Sequence, residues 1–306
     1  MTEVSREFDD YLAPIDQLFY LCKEIYDEID HLSKPFIVIG GQAVSYWLEY
    51  FDLDQRLTSA QRAQATSIDI DFCGNNEDFQ LISDKWEVLI RRPTIDDATP
   101  EQGVCLLRHR ETHEIKSIDG LFYLDIGELF NNNQHQPNQV DFLSLPNGFE
   151  IQDFENRKLV QHTEMLEFPP EFELASRENL LVLNPIGCIK SRMYNYYRLK
   201  AVRDPELELA RIKLLLAPLS LYLQKSLLEN GFKATQPYIK LAMQLAKSRL
   251  GVEIAVNHGI DISQAISHFV EEQQSTLPEK FLTHQFANWK QGLDAKVERK
   301  VVFYSQ

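Results

Sequence analysis

The stretch FIVIGGQAV, residues 36–44, decides the fold of this chain together with TSIDIDF, residues 66–72. Residues 36–39 form a short β-branched run that predicts a buried strand. Gly40 and Gly41 end this run and open a helical pattern over residues 42–51, which is a common setting for a phosphate site lined by backbone amides. Two glycines alone are a weak signal, because many strand–helix turns use them.

The second stretch places two carboxylates one residue apart. If residues 68–73 form a strand, Asp69 and Asp71 point to the same face of it. Two carboxylates this close suit a divalent metal better than an apolar core, and Mg²⁺ prefers carboxylate oxygens, waters and substrate phosphates. The alternative is a solvent-facing pair on an edge strand.

Nucleotidyl transfer generally requires a third carboxylate near such a pair. Asp141 is the preferred candidate, since it stands among apolar residues in QVDFL, residues 139–143, which predict a strand. Asp119 and Asp125 are its rivals. The glycine pair is neither a Walker-A loop nor a dinucleotide fingerprint, because the Lys-Ser/Thr ending and the third glycine are absent.

The order strand, Gly-Gly, helix, loop and Thr-x-x-Asp-x-Asp resembles the nucleotidyltransferase (polymerase-β-like) superfamily. The motif covers residues 36–73, and Asp141 matches it across an insertion of about 70 residues. This resemblance implies that Gly40, Gly41 and Thr66 contact the nucleoside triphosphate and that Asp69, Asp71 and Asp141 bind Mg²⁺, with Mn²⁺ as an alternative.

The segment NPIGCIK, residues 184–190, with the later Arg203-Asp204, is similar to the bacterial abortive-infection nucleotidyltransferases of type IV toxin–antitoxin systems. That resemblance implies that Lys190 touches the triphosphate, that Asp204 lies near the active centre and that an antitoxin is a partner. The chain departs from the family at Leu207, where a second aspartate is usual, and Glu208 lies one residue further on. For Lys190 a solvated helix position is the alternative.

The rest of the chain predicts a mixed α+β fold followed by a helical domain. Residues 1–170 are predicted to form a nucleotidyltransferase-like domain with flanking helices, and residues 171–306 a mainly helical domain. Residues 56–67 are predicted to form a loop and residues 79–92 a helix. Beyond residue 170 the pattern predicts helices over residues 185–201, 206–228, 236–250 and 262–272.

The composition limits the class of protein. The chain has 306 residues, a net charge of −15 and a hydrophobic share of 44%. No apolar run approaches the roughly 20 residues of a membrane span, and the polar N-terminus is unlike a secretory signal. Four cysteines without metal-type spacing indicate reduced thiols. We therefore expect a cytoplasmic protein without a membrane partner.

The charge is unevenly distributed. Residues 185–250 contain twelve Lys/Arg and four Asp/Glu, a net of 12 − 4 = +8, so that the remainder carries −15 − 8 = −23. The overall charge argues against a general nucleic-acid binder, whereas the basic stretch favours a phosphate-bearing ligand. The alternative is a solvated helix face.

These patterns predict a Mg²⁺-dependent nucleotidyltransferase that moves a nucleoside monophosphate from a nucleoside triphosphate to an acceptor hydroxyl. The sequence does not identify the acceptor, which could be a small molecule, a tRNA end or a protein hydroxyl. RNA and protein are therefore both candidate partners. The alternatives are a non-catalytic module of the same fold that binds a nucleotide or a partner, and a structural α/β protein.

Overall fold

A computed structural model describes residues 10–94, 101–123, 138–154, 158–199 and 204–304. The chain divides into two compact units, each discontinuous in sequence. The first unit contains Met1–Tyr46, Ala65–Ile151 and Thr163–Leu183, and the second contains Trp47–Gln64, Gln152–His162 and Asn184–Gln306. The predicted division at residue 170 stays a prediction.

The fold is mixed α+β, as the sequence predicts. The strands are β1 Phe36–Ile39, β2 Ile70–Cys73, β3 Val88–Arg91, β4 Glu101–His109, β5 Ser117–Ile118, β6 Leu121–Phe122, β7 Gln139–Leu143, β8 Thr163–Met165 and β9 Leu180–Leu183. The α-helices are α1 Pro14–Asp27, α2 Gly40–Tyr50, α3 Ser59–Ala65, α4 Asn76–Lys85, α5 Leu159–His162, α6 Pro185–Arg198, α7 Pro205–Leu214, α8 Leu216–Lys247, α9 Arg249–His258, α10 Ser263–Glu272 and α11 Ala287–Tyr304. A π-helical segment, Phe281–Phe286, precedes α11.

A seven-stranded mixed sheet with the order β3-β4-β7-β2-β1-β9-β8 organises the first unit. Strand β1 pairs antiparallel with β2 and parallel with β9, and β2 pairs parallel with β7. The remaining neighbours, β3–β4, β4–β7 and β8–β9, are antiparallel. The glycine and aspartate motifs therefore lie on adjacent central strands.

One face of this sheet carries an aromatic cluster. The ring centroids of Phe36 and Phe72 are 5.0 Å apart with the rings tilted, and Phe79 stacks on Phe142 at 4.6 Å. Trp86 completes the cluster at 5.9 Å from Phe142. Since side chains alternate along a strand, the neighbours of Phe72 and Phe142 at positions 71 and 141 point to the opposite face. The aromatic face anchors the strands and leaves the other face for polar groups.

The predicted loop over residues 56–67 is wrong, because Ser59–Ala65 forms α3. Thr58 and Gln61 build a capping box: the Thr58 amide donates to Gln61 Oε1 at 3.0 Å and the Gln61 amide donates to Thr58 Oγ1 at 3.3 Å. A side-chain cap of this kind satisfies amides that a helix start leaves open. The segment is polar and has no hydrophobic stripe, so that its sequence pattern did not predict a helix.

The predicted helix over residues 79–92 is only half correct. Helix α4 ends at Lys85, Glu87 takes a left-handed φ of 57°, and Val88–Arg91 pairs with β4 as a strand. Asn75 accepts hydrogen bonds from the amides of Glu77 and Asp78 and so starts the helix earlier than predicted. The periodicity alone could not separate a short helix from the strand that follows it.

Helices dominate the second unit. Asn184 caps α6 by accepting a hydrogen bond from the Gly187 amide at 2.9 Å, and Pro185 occupies the first turn, where its missing N–H costs nothing. Gly231, with φ 73° and ψ 170°, interrupts α8. Among the described residues no helix is both long enough and apolar enough to cross a membrane.

Candidate functional site

The glycine pair joins β1 to α2 and contacts the first candidate carboxylate. Gly40 has a φ of 70°, which an L side chain rarely adopts. A Cβ atom at this position would lie 1.7 Å from Asp71 Oδ2. The Asp71 carboxylate therefore packs directly against the backbone at the start of α2, and only glycine fits there.

Asp71 and Asp141 lie side by side on adjacent strands. The parallel pairing of β2 with β7 sets Asp71 opposite Asp141, and the antiparallel pairing of β1 with β2 sets Ile39 opposite Asp71. Neighbouring strands are about 4.8 Å apart, and paired residues project to the same face. Both side chains are 8% exposed. The fold thus brings together two buried carboxylates that are 70 positions apart in sequence.

Asp69 occupies a different environment from Asp71. Strand β2 begins at Ile70 rather than Ile68, so that Asp69 precedes the strand and its side chain is exposed. The Ser67 hydroxyl donates to the Asp69 carbonyl at 3.1 Å and holds the chain in a bend at this point. The predicted strand over residues 68–73 therefore begins two residues later than predicted, at Ile70, and Asp69 lies just before it.

The surroundings of Asp141 disfavour its charged form. Burial, together with the negative charges of Asp71, Glu101 and Asp69, raises the pKa of Asp141 to about 7. The Gln139 amide donates to Asp141 Oδ1 at 2.5 Å and acts in the opposite direction. The negative charges of both Asp71 and Asp69 therefore act on Asp141, and such a group of carboxylates attracts positive charge.

No family model, curated protein or solved structure matches this chain.

Gln42, which the sequence analysis did not select, links the two motifs. It is fully buried, and its Nε2 donates to the carbonyl of Ser67 at 2.6 Å and to that of Pro14 at 3.2 Å. Ser45 reinforces this link by donating to the Ala65 carbonyl at 2.9 Å. Thr66, predicted to contact the nucleotide, lies half-buried between these tethered residues. A polar residue on the first turn of an apolar helix was the available signal for Gln42.

The donor set fits a hard divalent cation that a ligand completes. The described residues contain no group of three or more His, Cys, Asp or Glu side chains arranged to hold a metal by themselves. Mg²⁺ is usually bound through one or two carboxylates, with waters and substrate phosphates supplying the remaining oxygens. Asp71 and Asp141 can provide those carboxylates, and the predicted role of Asp69 as a further ligand stays a prediction.

Lys190 and Asp204 belong to the second unit. Lys190 Nζ forms an ion pair with Asp153 Oδ2 at 3.2 Å, and each side chain is 23% exposed. Asp204 is exposed and caps α7 by accepting a hydrogen bond from the Glu206 amide at 2.9 Å. The contacts of Asp204 described here are those of a helix cap, and its assignment to the nucleotide site stays a prediction.

The other acidic residues singled out in the sequence are not seen beside Asp71 in the described part of the chain. Asp119 takes a φ of 52° next to Gly120 in the tight turn between β5 and β6, and its side chain is exposed. Asp125 lies outside the described residues. Glu208 is buried and accepts two hydrogen bonds from Arg192 Nη1, at 3.2 and 3.1 Å. Asp141 is thus the one of the three third-acid candidates that the described structure places beside Asp71.

Proposed function

We propose that this protein is a divalent-cation-dependent nucleotidyltransferase that moves a nucleoside monophosphate from a nucleoside triphosphate to an acceptor hydroxyl. The observation that carries the proposal is the arrangement of Gly40, Asp71 and Asp141 on three adjacent strands or their ends. A backbone-lined helix start beside paired carboxylates can hold the phosphates and their counter-ion together.

Each part of the site has a role in this proposal. The amides of Gly40 and Gly41, at the start of α2, would receive phosphate oxygens, and Thr66 would contact the nucleotide from the tethered loop. Asp71, Asp141 and Asp69 would hold Mg²⁺ or Mn²⁺. When bound, the cation neutralises charge on the phosphates and aligns them.

The transfer itself needs few groups from the protein. The acceptor oxygen would form a bond to the α-phosphorus while the bond to the leaving bridging oxygen breaks and pyrophosphate departs in line. The acceptor proton would pass to the carboxylate of Asp141. The protein contributes positioning and charge neutralisation, which account for most of the rate enhancement in such reactions.

The resemblance to toxin-type nucleotidyltransferases extends the proposal to further residues and partners. It would give Lys190 and Asp204 a part in nucleotide binding and would make an antitoxin a partner. The acceptor would be a small molecule, a tRNA end or a protein, and the basic residues 185–250 favour one that bears phosphate.

The proposal is tested by label transfer. The full chain is incubated with each labelled nucleoside triphosphate and Mg²⁺, with and without RNA and protein extract. We expect transfer by the wild type, no transfer by Asp71→Asn or Asp69→Asn, and wild-type transfer by Asp119→Asn, which removes an exposed turn carboxylate. Circular dichroism checks that each variant is folded. Full activity in both Asp71→Asn and Asp69→Asn would exclude the mechanism.

A second candidate function is nucleotide or partner binding without catalysis. It is favoured by the exposure of Asp69 outside β2 and by the lack, among the described side chains, of a three-ligand metal group. Calorimetry separates the two candidates, because a binding module would bind a nucleoside triphosphate with no label transfer to any acceptor.

A further inference from the structure

The second unit contains a cavity of about 390 Å³ built from its own residues. Its walls come from Asp153 and Lys158, from α5 and α6, and from the end of α8 and the start of α9. A cavity of this size is within the range of small-molecule sites. None of the three carboxylates of the candidate catalytic site lines it.

The lining of this cavity is positively charged although the chain is acidic. It includes Lys158, Lys190 and Arg249, with Asp153 as its carboxylate, so that the charge is 3 − 1 = +2 with histidine neutral. The chain as a whole carries −15. A concave cationic surface on an acidic protein concentrates anions locally.

Two of the cations lie near one buried imidazole. Burial, together with the charges of Lys190 and Lys158, lowers the pKa of His162 to about 4, whereas Asp153 acts in the opposite direction. At neutral pH His162 is therefore an uncharged hydrogen-bonding group beside two ammonium groups. This combination suits a phosphate, which accepts hydrogen bonds and carries negative charge.

The rest of the lining is apolar and aromatic. Met193 is buried, Leu241 and Leu245 are half-buried, and the Tyr194 ring carries the Arg198 guanidinium 5.1 Å from its centroid. Such surfaces accept the flat face of an aromatic group. The cavity thus combines a cationic region with an apolar region, as a ligand with a charged end and an apolar body requires.

We propose that this cavity binds a phosphate monoester of mononucleotide size, with its phosphate at Lys158, Lys190 and Arg249 and its aromatic body against Met193, Tyr194 and Leu241. The proposal does not depend on the proposed transferase activity, and it assigns Lys190 to the phosphate in this cavity instead of the triphosphate that the family resemblance implies. The Asp153 carboxylate forms an ion pair with Lys190 at 3.2 Å, and the incoming phosphate competes with this carboxylate for the lysine.

Calorimetry on the full chain with AMP in EDTA tests this site. EDTA removes the divalent cations that nucleotide binding at Asp71 and Asp141 would use. We expect Lys158→Ala/Arg249→Ala to weaken AMP binding about tenfold or more, because two phosphate contacts are lost. Asp153→Asn should tighten it several-fold, because the competing carboxylate is gone. Adenosine and inorganic phosphate should each bind more weakly than AMP.

The matched control is Lys233→Ala/Arg299→Ala, which removes one exposed lysine and one exposed arginine outside the lining. It should keep wild-type AMP affinity, as should Asp71→Asn. The proposal is overturned if the wild type does not bind AMP, if both double variants bind equally, or if phosphate alone binds as tightly. Loss of binding in Asp71→Asn would move the ligand to the carboxylate site and would also overturn it. Loss of label transfer in Asp71→Asn with AMP binding retained would support an AMP site that is distinct from the carboxylate site.

Discussion

A single added methyl group at position 40 would collide with the carboxylate that the site depends on. Gly40→Ala places a Cβ 1.7 Å from Asp71 Oδ2 and also imposes an unfavourable φ of 70°. We expect a loss of about 3 kcal/mol in the free energy of unfolding, from backbone strain and overpacking together, and loss of label transfer. Urea denaturation measures the first effect.

Gly259→Ala is the matched control for that variant. Gly259 has a φ of 66°, and an added Cβ meets none of the described atoms within 4 Å. It therefore reports backbone strain alone, on the order of 1 kcal/mol. Equal destabilisation by the two substitutions would contradict the close contact between Gly40 and Asp71.

The carboxyl of Asp141 makes stability depend on pH. Its folded-state pKa of about 7 exceeds the ordinary value of 3.8, so that the folded protein holds a proton which the unfolded chain releases. The resulting penalty is absent below about pH 4, grows between pH 4 and 7 and is constant above pH 7. At pH 8 in EDTA, urea denaturation should therefore give Asp141→Asn a free energy of unfolding about 2 to 4 kcal/mol higher than that of the wild type. This difference should vanish towards pH 4. A difference independent of pH would contradict this account.

Helices α6 and α7 are joined by a buried ion pair. Arg192 and Glu208 are 2% exposed each, and Asn195 Nδ2 also donates to Glu208 at 3.5 Å. Glu208→Ala leaves the Arg192 charge buried without its partner, which typically costs about 3 to 5 kcal/mol. Thermal and urea unfolding of the variant should show this loss.

The double variant Arg192→Met/Glu208→Leu is the control for this pair. Replacing both charges by apolar groups of similar size avoids an unpaired buried charge and is often neutral or stabilising. We therefore expect it to be more stable than Glu208→Ala alone. If the single and double variants were equally unstable, packing rather than charge would explain the effect.

The elements that the sequence predicted are those with a complete local signal. The apolar run of β1 and the helix that follows Gly40 and Gly41 are confirmed, because a β-branched run and a helical periodicity are both visible in the local sequence. Strand β9, LLVL, escaped prediction because its three leucines favour a strand less than the β-branched run of β1 does, and its pairing with β1 is not visible in the local sequence. Helix α3 escaped because a capping box, not a hydrophobic stripe, defines it.

The same distinction applies to the candidate site. The spacing of Asp69 and Asp71 could not show that β2 begins only at Ile70, after a bend in which the Ser67 hydroxyl donates to the Asp69 carbonyl. The pairing of Asp71 with Asp141 depends on a register between strands 70 positions apart, which no local pattern encodes. Gln42 acts through two side-chain hydrogen bonds and Gln139 through one, and such isolated contacts produce no periodic pattern in the sequence.

At the scale of the whole molecule, all four cysteines are buried thiols: Cys22, Cys73, Cys105 and Cys188. Burial raises the pKa of Cys73, Cys105 and Cys188 to about 12 and that of Cys22 still further. Since the thiolate is the reactive form, we expect slow reaction with a thiol reagent in the native protein and four reactive thiols after denaturation without reductant. Rapid native labelling of more than one thiol would contradict this burial.

The parallel pairing of β1 with β9 has a consequence for synthesis on the ribosome. Phe36 pairs with Leu180, so that 180 − 36 = 144 residues must follow Phe36 before its partner emerges. At roughly 5–20 residues per second this takes about 7 to 30 seconds. During that interval one edge of the apolar strand FIVI has no native partner, and an open hydrophobic edge is a template for aggregation. A chaperone that covers this edge until β9 has been synthesised would therefore protect the nascent chain. In the finished protein the strand is enclosed between β2 and β9.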